Sequence, residues 1–186
     1  MASFLDSFSS GALSDKDPYW IKSNIVTRKV SKGAYLLRKG DLLKKAFFVK
    51  TGCLRSYALD DKGKEHIYMF GPEGWIVNDI EAHVQDKPAE LYIDAVEDSE
   101  VEVIDNAILT LIQPTAQDID KLTKRIAVLQ HRIILLMSAP LQERYLDFVK
   151  TYPSIVQRVP QKMIASYLGV TPEALSKIRG ELAKHK

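Results

Sequence analysis

The stretch Val159-Pro160-Gln161-Lys162-Met163-Ile164-Ala165-Ser166-Tyr167-Leu168-Gly169-Val170-Thr171-Pro172-Glu173-Ala174-Leu175-Ser176-Lys177-Ile178-Arg179 decides how the rest of the chain is read. Pro160 suits a helix start, and Met163, Ile164, Tyr167 and Leu168 form one apolar side. Gly169 follows where a left-handed cap is cheap. Thr171 as N-cap and Pro172 as first helical residue open a second helix, whose buried side is Leu175, Ile178 and Leu182. Two short helices about a glycine turn make a helix-turn-helix, and small Ala165 allows them close approach. Thr171, Glu173, Ser176 and Lys177 then fall on the outward side. Glu173 suits a cytosine amino group, and Lys177 suits guanine O6/N7. Thr171, Ser176 and Arg179 are candidate phosphate or base contacts, and Lys162 adds phosphate attraction. An ordinary helical hairpin with a solvated charged face has the same spacing.

Upstream, Leu141, Tyr145, Phe148 and Val149 predict a helix ended by Tyr152-Pro153. Between Pro114 and Pro140 no Gly or Pro intervenes. Ile119, Leu122, Ile126, Leu129, Ile133 and Leu136 recur at spacings of 3, 4, 3, 4 and 3, an a/d seam of nearly three heptads. Packing within one chain would use Val128, Ile134 and Leu135 instead. The unbroken 3.5-residue period favours a matching helix from a second copy.

Before Pro114 the pattern is one of short strands. Residues 25–30, 34–37, 46–49, 54–57 and 66–70 are rich in β-branched and aromatic side chains and are separated by turn signals. Residues 91–96 and 101–104 alternate by side. Such spacing predicts a sandwich, barrel or jelly roll. The fold class is therefore α+β, with a β-domain over 1–113, a dimerisation helix over 114–140 and an all-α helix-turn-helix domain over 141–186.

The net charge of +2 over 186 residues conceals a partition. Residues 16–57 carry 11 basic and 2 acidic side chains, and residues 58–105 carry 3 basic and 14 acidic. Residues 141–186 carry 8 basic and 4 acidic, modest support for a phosphate-facing surface. No apolar run approaches the roughly 20 residues of a membrane span, and the start has neither a basic n-region nor a long apolar core, so a cytoplasmic protein is expected. Cys53, the sole cysteine, excludes an internal disulfide and a four-thiolate iron–sulfur cluster. A haem would need His66, His83 or His131, and isolated histidines are commonly structural or solvated. No catalytic triad, metal-ligand set or glycine-rich phosphate loop is present, so no enzyme, cofactor or metal is expected.

The segments Gln157–Gln161, Ile164–Glu173, Leu175-Ser176 and Ile178-Arg179 resemble the DNA-binding helices of Crp/Fnr-type bacterial transcription regulators, particularly the Bacteroidetes branch. Glu143-Arg144-Tyr145, Arg38-Lys39-Gly40-Asp41, Phe47-Phe48-Val49, Leu54-Arg55-Ser56 and Glu73-Gly74-Trp75 extend the likeness from about residue 20 to 182. The resemblance implies a cyclic-nucleotide-binding-like β-roll sensor, a long dimer helix and a helix-turn-helix reading a pseudo-palindromic operator in double-stranded DNA. It also implies contact with RNA polymerase if the protein activates. Glu173 and Lys177 fall where the family places a base-reading glutamate and a basic residue. Pro172 stands where many members have arginine.

Members that bind cyclic AMP use a Gly-Glu pair and, about ten residues on, an arginine for the phosphate. Here the matching stretches are Val77-Asn78-Asp79 and Pro88-Ala89-Glu90, with no arginine. Cyclic AMP is therefore not expected to bind in the usual way. Lys87, the nearby cation, reads as a solvated turn residue, and Asp79 keeps a hydroxyl-accepting role open. Trp75, Asp79, Tyr92 and Tyr68 are the candidate pocket for an uncharged effector; the competing and favoured reading of the aromatics, Phe70 with them, is plain core with no effector. The competing reading is a ligand-binding or protein-interaction module whose helix-turn-helix no longer reads DNA; the chain ends just past the second helix, and Tyr152–Pro160 leaves little room for a β-wing.

Overall fold

The computed structural model describes residues 3–7, 18–42 and 44–184. After a 3₁₀ turn (Leu5–Ser7) come α1 (Pro18–Asn24), β1 (Val26–Val30), β2 (Tyr35–Leu37), β3 (Lys45–Thr51), β4 (Leu54–Leu59), β5 (Glu65–Gly71) and β6 (Ile76–Val77). Then follow α2 (Ile80–Gln85), β7 (Tyr92–Ala95), β8 (Ser99–Asp105), α3 (Asn106–Leu109), α4 (Ala116–Ser138), α5 (Leu141–Thr151), α6 (Gln161–Tyr167) and α7 (Pro172–Lys184). All seven predicted strand segments appear. The two-residue β6 and the short helices α1, α2 and α3 had no expectation, being too brief for a periodic signal.

The strands form two antiparallel sheets, ordered β1-β8-β3-β6 and β2-β7-β4-β5. Val30, Leu37, Phe47, Val49, Leu54, Ile93 and Val101 fill the space between them. Alternate β3 residues Ala46 and Phe48 point the other way, into a second core with Phe4, Ile21, Ile104 and Ile108. Both faces of β3 are thus covered, which is why its sequence is almost continuously apolar. A third core joins the outer face of β4 and β5 to the C-terminal helices, through Tyr57, Ile67 and Phe70 on one side and Phe148, Tyr152, Ile164, Tyr167 and Leu175 on the other.

Two polar features fix this sandwich. Gly52 has φ +88°, and a Cβ there would meet the Ser99 hydroxyl at 2.3 Å, so the β3–β4 turn admits no side chain. Arg55 on β4 is buried, bonds both Asp94 oxygens at 2.7 and 2.9 Å, reaches Glu65, and lies over the Tyr57 ring. Removing Asp94 takes away the buried partner of Arg55 and leaves it only the more exposed Glu65. Asp94→Ala is expected to cost about 3 kcal/mol of stability, read as a lowered urea midpoint at unchanged slope.

The helical half follows its capping chemistry. Thr115 and Asp118 form a reciprocal capping box at the start of α4. Gly169 adopts φ +69° between α6 and α7, and the Thr171 hydroxyl accepts from the Ala174 amide at 3.3 Å to cap α7. No described helix is long and apolar enough to cross a membrane.

Candidate nucleic-acid interface and sensor cavity

On α7, Leu175 is fully buried while Thr171, Glu173, Ser176 and Lys177 are exposed. Arg179 is half-buried, and Lys162 is exposed near the start of α6. The apolar side is thus locked to the third core, and the polar side of the N-terminal two turns faces outward. The Glu173 carboxyl is held below the usual range by its own backbone amide and by the Thr171 hydroxyl, so it is an acceptor at neutral pH.

The a/d seam of α4 is largely exposed in a single chain, although Leu122, Ile126 and Leu129 also border a cavity toward the β-domain. Leu135 is buried against its own chain, whereas Ile119, Leu122, Ile126 and Ile133 are between 54% and 57% exposed. Ile126 lies nine positions before Leu135, about two and a half turns, so the two point to opposite sides. Of the residues that intrachain packing would use, only Leu135 is covered; Val128 and Ile134 stay exposed. Leu129 is half-buried and Leu136 is 39% exposed.

Between α4 and the β-domain lies a cavity of about 390 Å³, lined by Tyr68, Trp75, Leu129, Arg125, Tyr152 and Tyr167 among others. The Arg125 guanidinium sits 5.0 Å from the Trp75 ring centre. Of the four candidate pocket residues, Trp75 and Tyr68 line this space. Tyr92 lines neither it nor the neighbouring recess: it stacks on Tyr57 at 5.4 Å and meets Tyr35 edge-on, because its strand is interior to its sheet. Asp79 has a structural task that the sequence did not reveal. One oxygen accepts from the Ala82 amide at 3.1 Å, capping α2, and the other accepts from the Glu90 and Leu91 amides.

The recess beside Asp79, about 530 Å³, is lined by Tyr68, Asn78, Asp79, Glu81, Glu90 and Leu91 among others, with no lysine or arginine among its described lining. Lys87 is not a free turn cation: it bonds Glu81 at 2.7 Å, and Lys39 bonds Glu90 at 2.9 Å. An anionic phosphate entering here would meet carboxylates and no available cation. Titration calorimetry with cyclic AMP is expected to show no micromolar binding; such binding, abolished by Lys87→Ala, would overturn this.

Two arginines seat the C-terminal helices on the β-domain, and a third closes those helices on one another. Arg158, after α5, reaches Glu73 at 2.8 and 3.0 Å and also pairs with Glu97. That pairing holds the Glu73 carboxyl below the usual range, so the ion pair persists at neutral pH and breaks on acidification through that lowered value. Arg144 donates to the Leu168 carbonyl at 2.9 Å, closing the end of α6. Arg132, which the heptad pattern leaves among the charges off the seam, is half-buried and donates to the carbonyls of Ile67, Tyr68 and Tyr167. Burial pushes the Cys53 thiol up to about 12, an unreactive state. His66 and His131 lie beside Asp60 and Asp147.

Residues 27–113 match the cyclic nucleotide-binding domain. The chain is 25% identical to electron transport regulator A of Shewanella oneidensis, over 87% of its own length and 71% of the relative's. A solved transcriptional regulator of the CRP/FNR family from Thermus thermophilus, TTHA1359, superposes with a TM-score of 0.63 at 20% identity, covering 86% of this chain and 87% of that one. Residues 27–113 thus carry the cyclic nucleotide-binding domain, and most of the chain shares the fold of this solved CRP/FNR-family regulator. Another solved structure, FixK2 from Bradyrhizobium japonicum, superposes with a TM-score of 0.70 at 19% identity over 87% and 85% of the two chains. The shared fold is an antiparallel jelly-roll followed by helices.

Proposed function

We propose that the protein is a homodimer that reads a pseudo-palindromic operator with two copies of α7. The observation that carries this reading is the division of α7, apolar side locked into the core and Thr171, Glu173, Ser176 and Lys177 outward. The recognition helix of a helix-turn-helix presents its N-terminal residues to base edges, with half-sites about 34–36 Å apart along the duplex. Glu173 accepts from a cytosine amino group and Lys177 donates to guanine; Arg179 and Lys162 contribute to phosphate attraction. The α4 seam joins the two protomers and sets the spacing of the two α7 helices.

The β-domain over 1–113 acts as the sensor, α4 within 114–140 as the dimer helix, and 141–186 as the DNA-binding domain. An effector in the Trp75–Tyr68 cavity would be apolar and aromatic rather than a cyclic nucleotide, since its walls are largely aromatic and aliphatic and its three cations are engaged, Arg125 over the Trp75 ring, Lys124 with Asp120 and Arg132 with backbone carbonyls. Such a ligand touches β5, α4 and α6 at once, and so can bias their arrangement. If the protein activates transcription, RNA polymerase is its further partner.

Genome-wide capture of bound fragments, followed by affinity measurement on the enriched sequence, tests the reading. A two-fold symmetric motif is expected. Absence of binding to genomic and random duplexes at low salt would instead favour a module that no longer reads DNA.

A further inference from the structure

The edge of β5 is finished by side chains from two other elements. β5 is the last strand in its sheet, so its outward backbone groups have no neighbouring strand. Ser166 on α6 donates its hydroxyl to the Glu65 carbonyl at 2.6 Å and accepts from the Ile67 amide at 3.0 Å. Arg132 on α4 takes the next positions along, donating to the Ile67 carbonyl at 3.1 Å and to that of Tyr68. The pairing with β4 shifts here, from Ser56 opposite Met69 to Tyr57 opposite Ile67, leaving Tyr68 as the extra residue of a bulge. The same Arg132 nitrogen that meets Ile67 also donates to the Tyr167 carbonyl at 3.0 Å, at the end of α6, and the guanidinium lies 3.7 Å from the Tyr167 ring centre.

From this geometry we propose that Arg132 is a positioning residue that, with Ser166, latches the helix-turn-helix onto the free edge of β5 and thereby fixes α7 relative to the dimer helix. All three acceptors of Arg132 are backbone carbonyls, two on the sensor strand and one on α6. The side chain therefore registers where the two chain segments lie, in a way a pairing with a flexible carboxylate does not. A planar fork with several donors suits this task, and the point charge of lysine does not. Because α4 also carries the proposed dimer seam, one residue ties the symmetry axis, the sensor edge and the reading head together. The aromatic contacts of the third core supply adhesion, and the directional bonds of Arg132 and Ser166 supply orientation. A latched pair of α7 helices is preorganised for two successive grooves; an unlatched pair must be ordered upon binding, at a cost in affinity.

This inference rests on the DNA-reading dimer proposed above, and the test separates the two. Arg132→Lys, Arg132→Ala and Ser166→Ala are compared with wild type by sedimentation, by residue-level amide exchange and by operator affinity. All are expected to remain dimeric. Ser166→Ala is expected to speed exchange of the Ile67 amide at least about tenfold, since it deletes that amide's acceptor. Arg132→Lys is expected to weaken operator binding about tenfold and to speed exchange in β5 and α6 while the rest of the β-domain is unchanged. Methylguanidinium should restore affinity to Arg132→Ala, where methylammonium at equal concentration does not. Unchanged or tighter operator binding in Arg132→Lys overturns the proposal, as does a loss accompanied by faster exchange throughout the protein and no guanidinium rescue. If wild type binds no DNA, the proposed function fails on its own. Exchange in Arg132→Lys then decides the latch: local acceleration at Ile67 and α6 supports it, and no acceleration overturns it.

Discussion

Alanine at both Lys177 and Arg179 is expected to lower affinity for the captured operator by about 100-fold or more, with dimer mass and thermal stability nearly unchanged. Lys177 is exposed and Arg179 half-buried, so neither carries the core on which α7 rests. A base-edge contact contributes about 1–3 kcal/mol, and each phosphate that the protein ceases to neutralise reduces the salt slope by about one. Two copies per dimer give a slope shallower by about two to four, depending on how many of these side chains meet phosphate. Alanine at Lys29, an exposed cation of β1 in the sheet remote from α7, serves as the control. If the double variant matches wild type in both affinity and salt slope, α7 is not the reading head. Glu173→Gln belongs to the same experiment with a different outcome: it should alter which base pair is preferred more than it alters binding to random duplex.

What was legible in the sequence was local. Gly169 between two apolar-sided segments announces its left-handed turn, because few other residues adopt that conformation without strain. The seam of α4 follows from its period, and the strands from short apolar runs between turns. The residues that join the domains carry no comparable signal. Ser166 meets Glu65 and Ile67 about a hundred positions away, and Arg158 meets Glu73 across 85. Such pairs leave no periodic trace in one sequence. Asp79 shows the opposite difficulty: an acidic residue beside a family's ligand position reads as a ligand group until its two oxygens are seen to be occupied by three backbone amides. Tyr92 differs again, since side-of-strand alternation says that it is on one face without saying which layer covers that face.

The other large effect belongs to the seam itself. Ile126→Glu is expected to convert the dimer to a monomer, raising its dissociation constant at least about 1000-fold, equivalent to about 4 kcal/mol. The protomer should survive the change, because Ile126 is 56% exposed within a single chain and belongs to none of its three cores. A charge at one position of a two-fold interface is met by its own copy, so two carboxylates would be desolvated together with like sign. Sedimentation and near-native circular dichroism measure the two halves of this expectation independently. Operator binding should fall as well, since the second half-site is then engaged as a separate molecule and no longer at the high effective concentration a joined partner provides. Ile134→Glu offers the discriminating comparison. Ile134 is 52% exposed but lies off the a/d seam, so its replacement should disturb dimerisation far less. Equal loss from both substitutions would mean that a broader face of α4, and not the 3.5-residue stripe, holds the copies together. A dimer unaffected by Ile126→Glu would remove the axis from α4 altogether, and with it the geometric reason for two α7 helices to meet successive turns of one duplex.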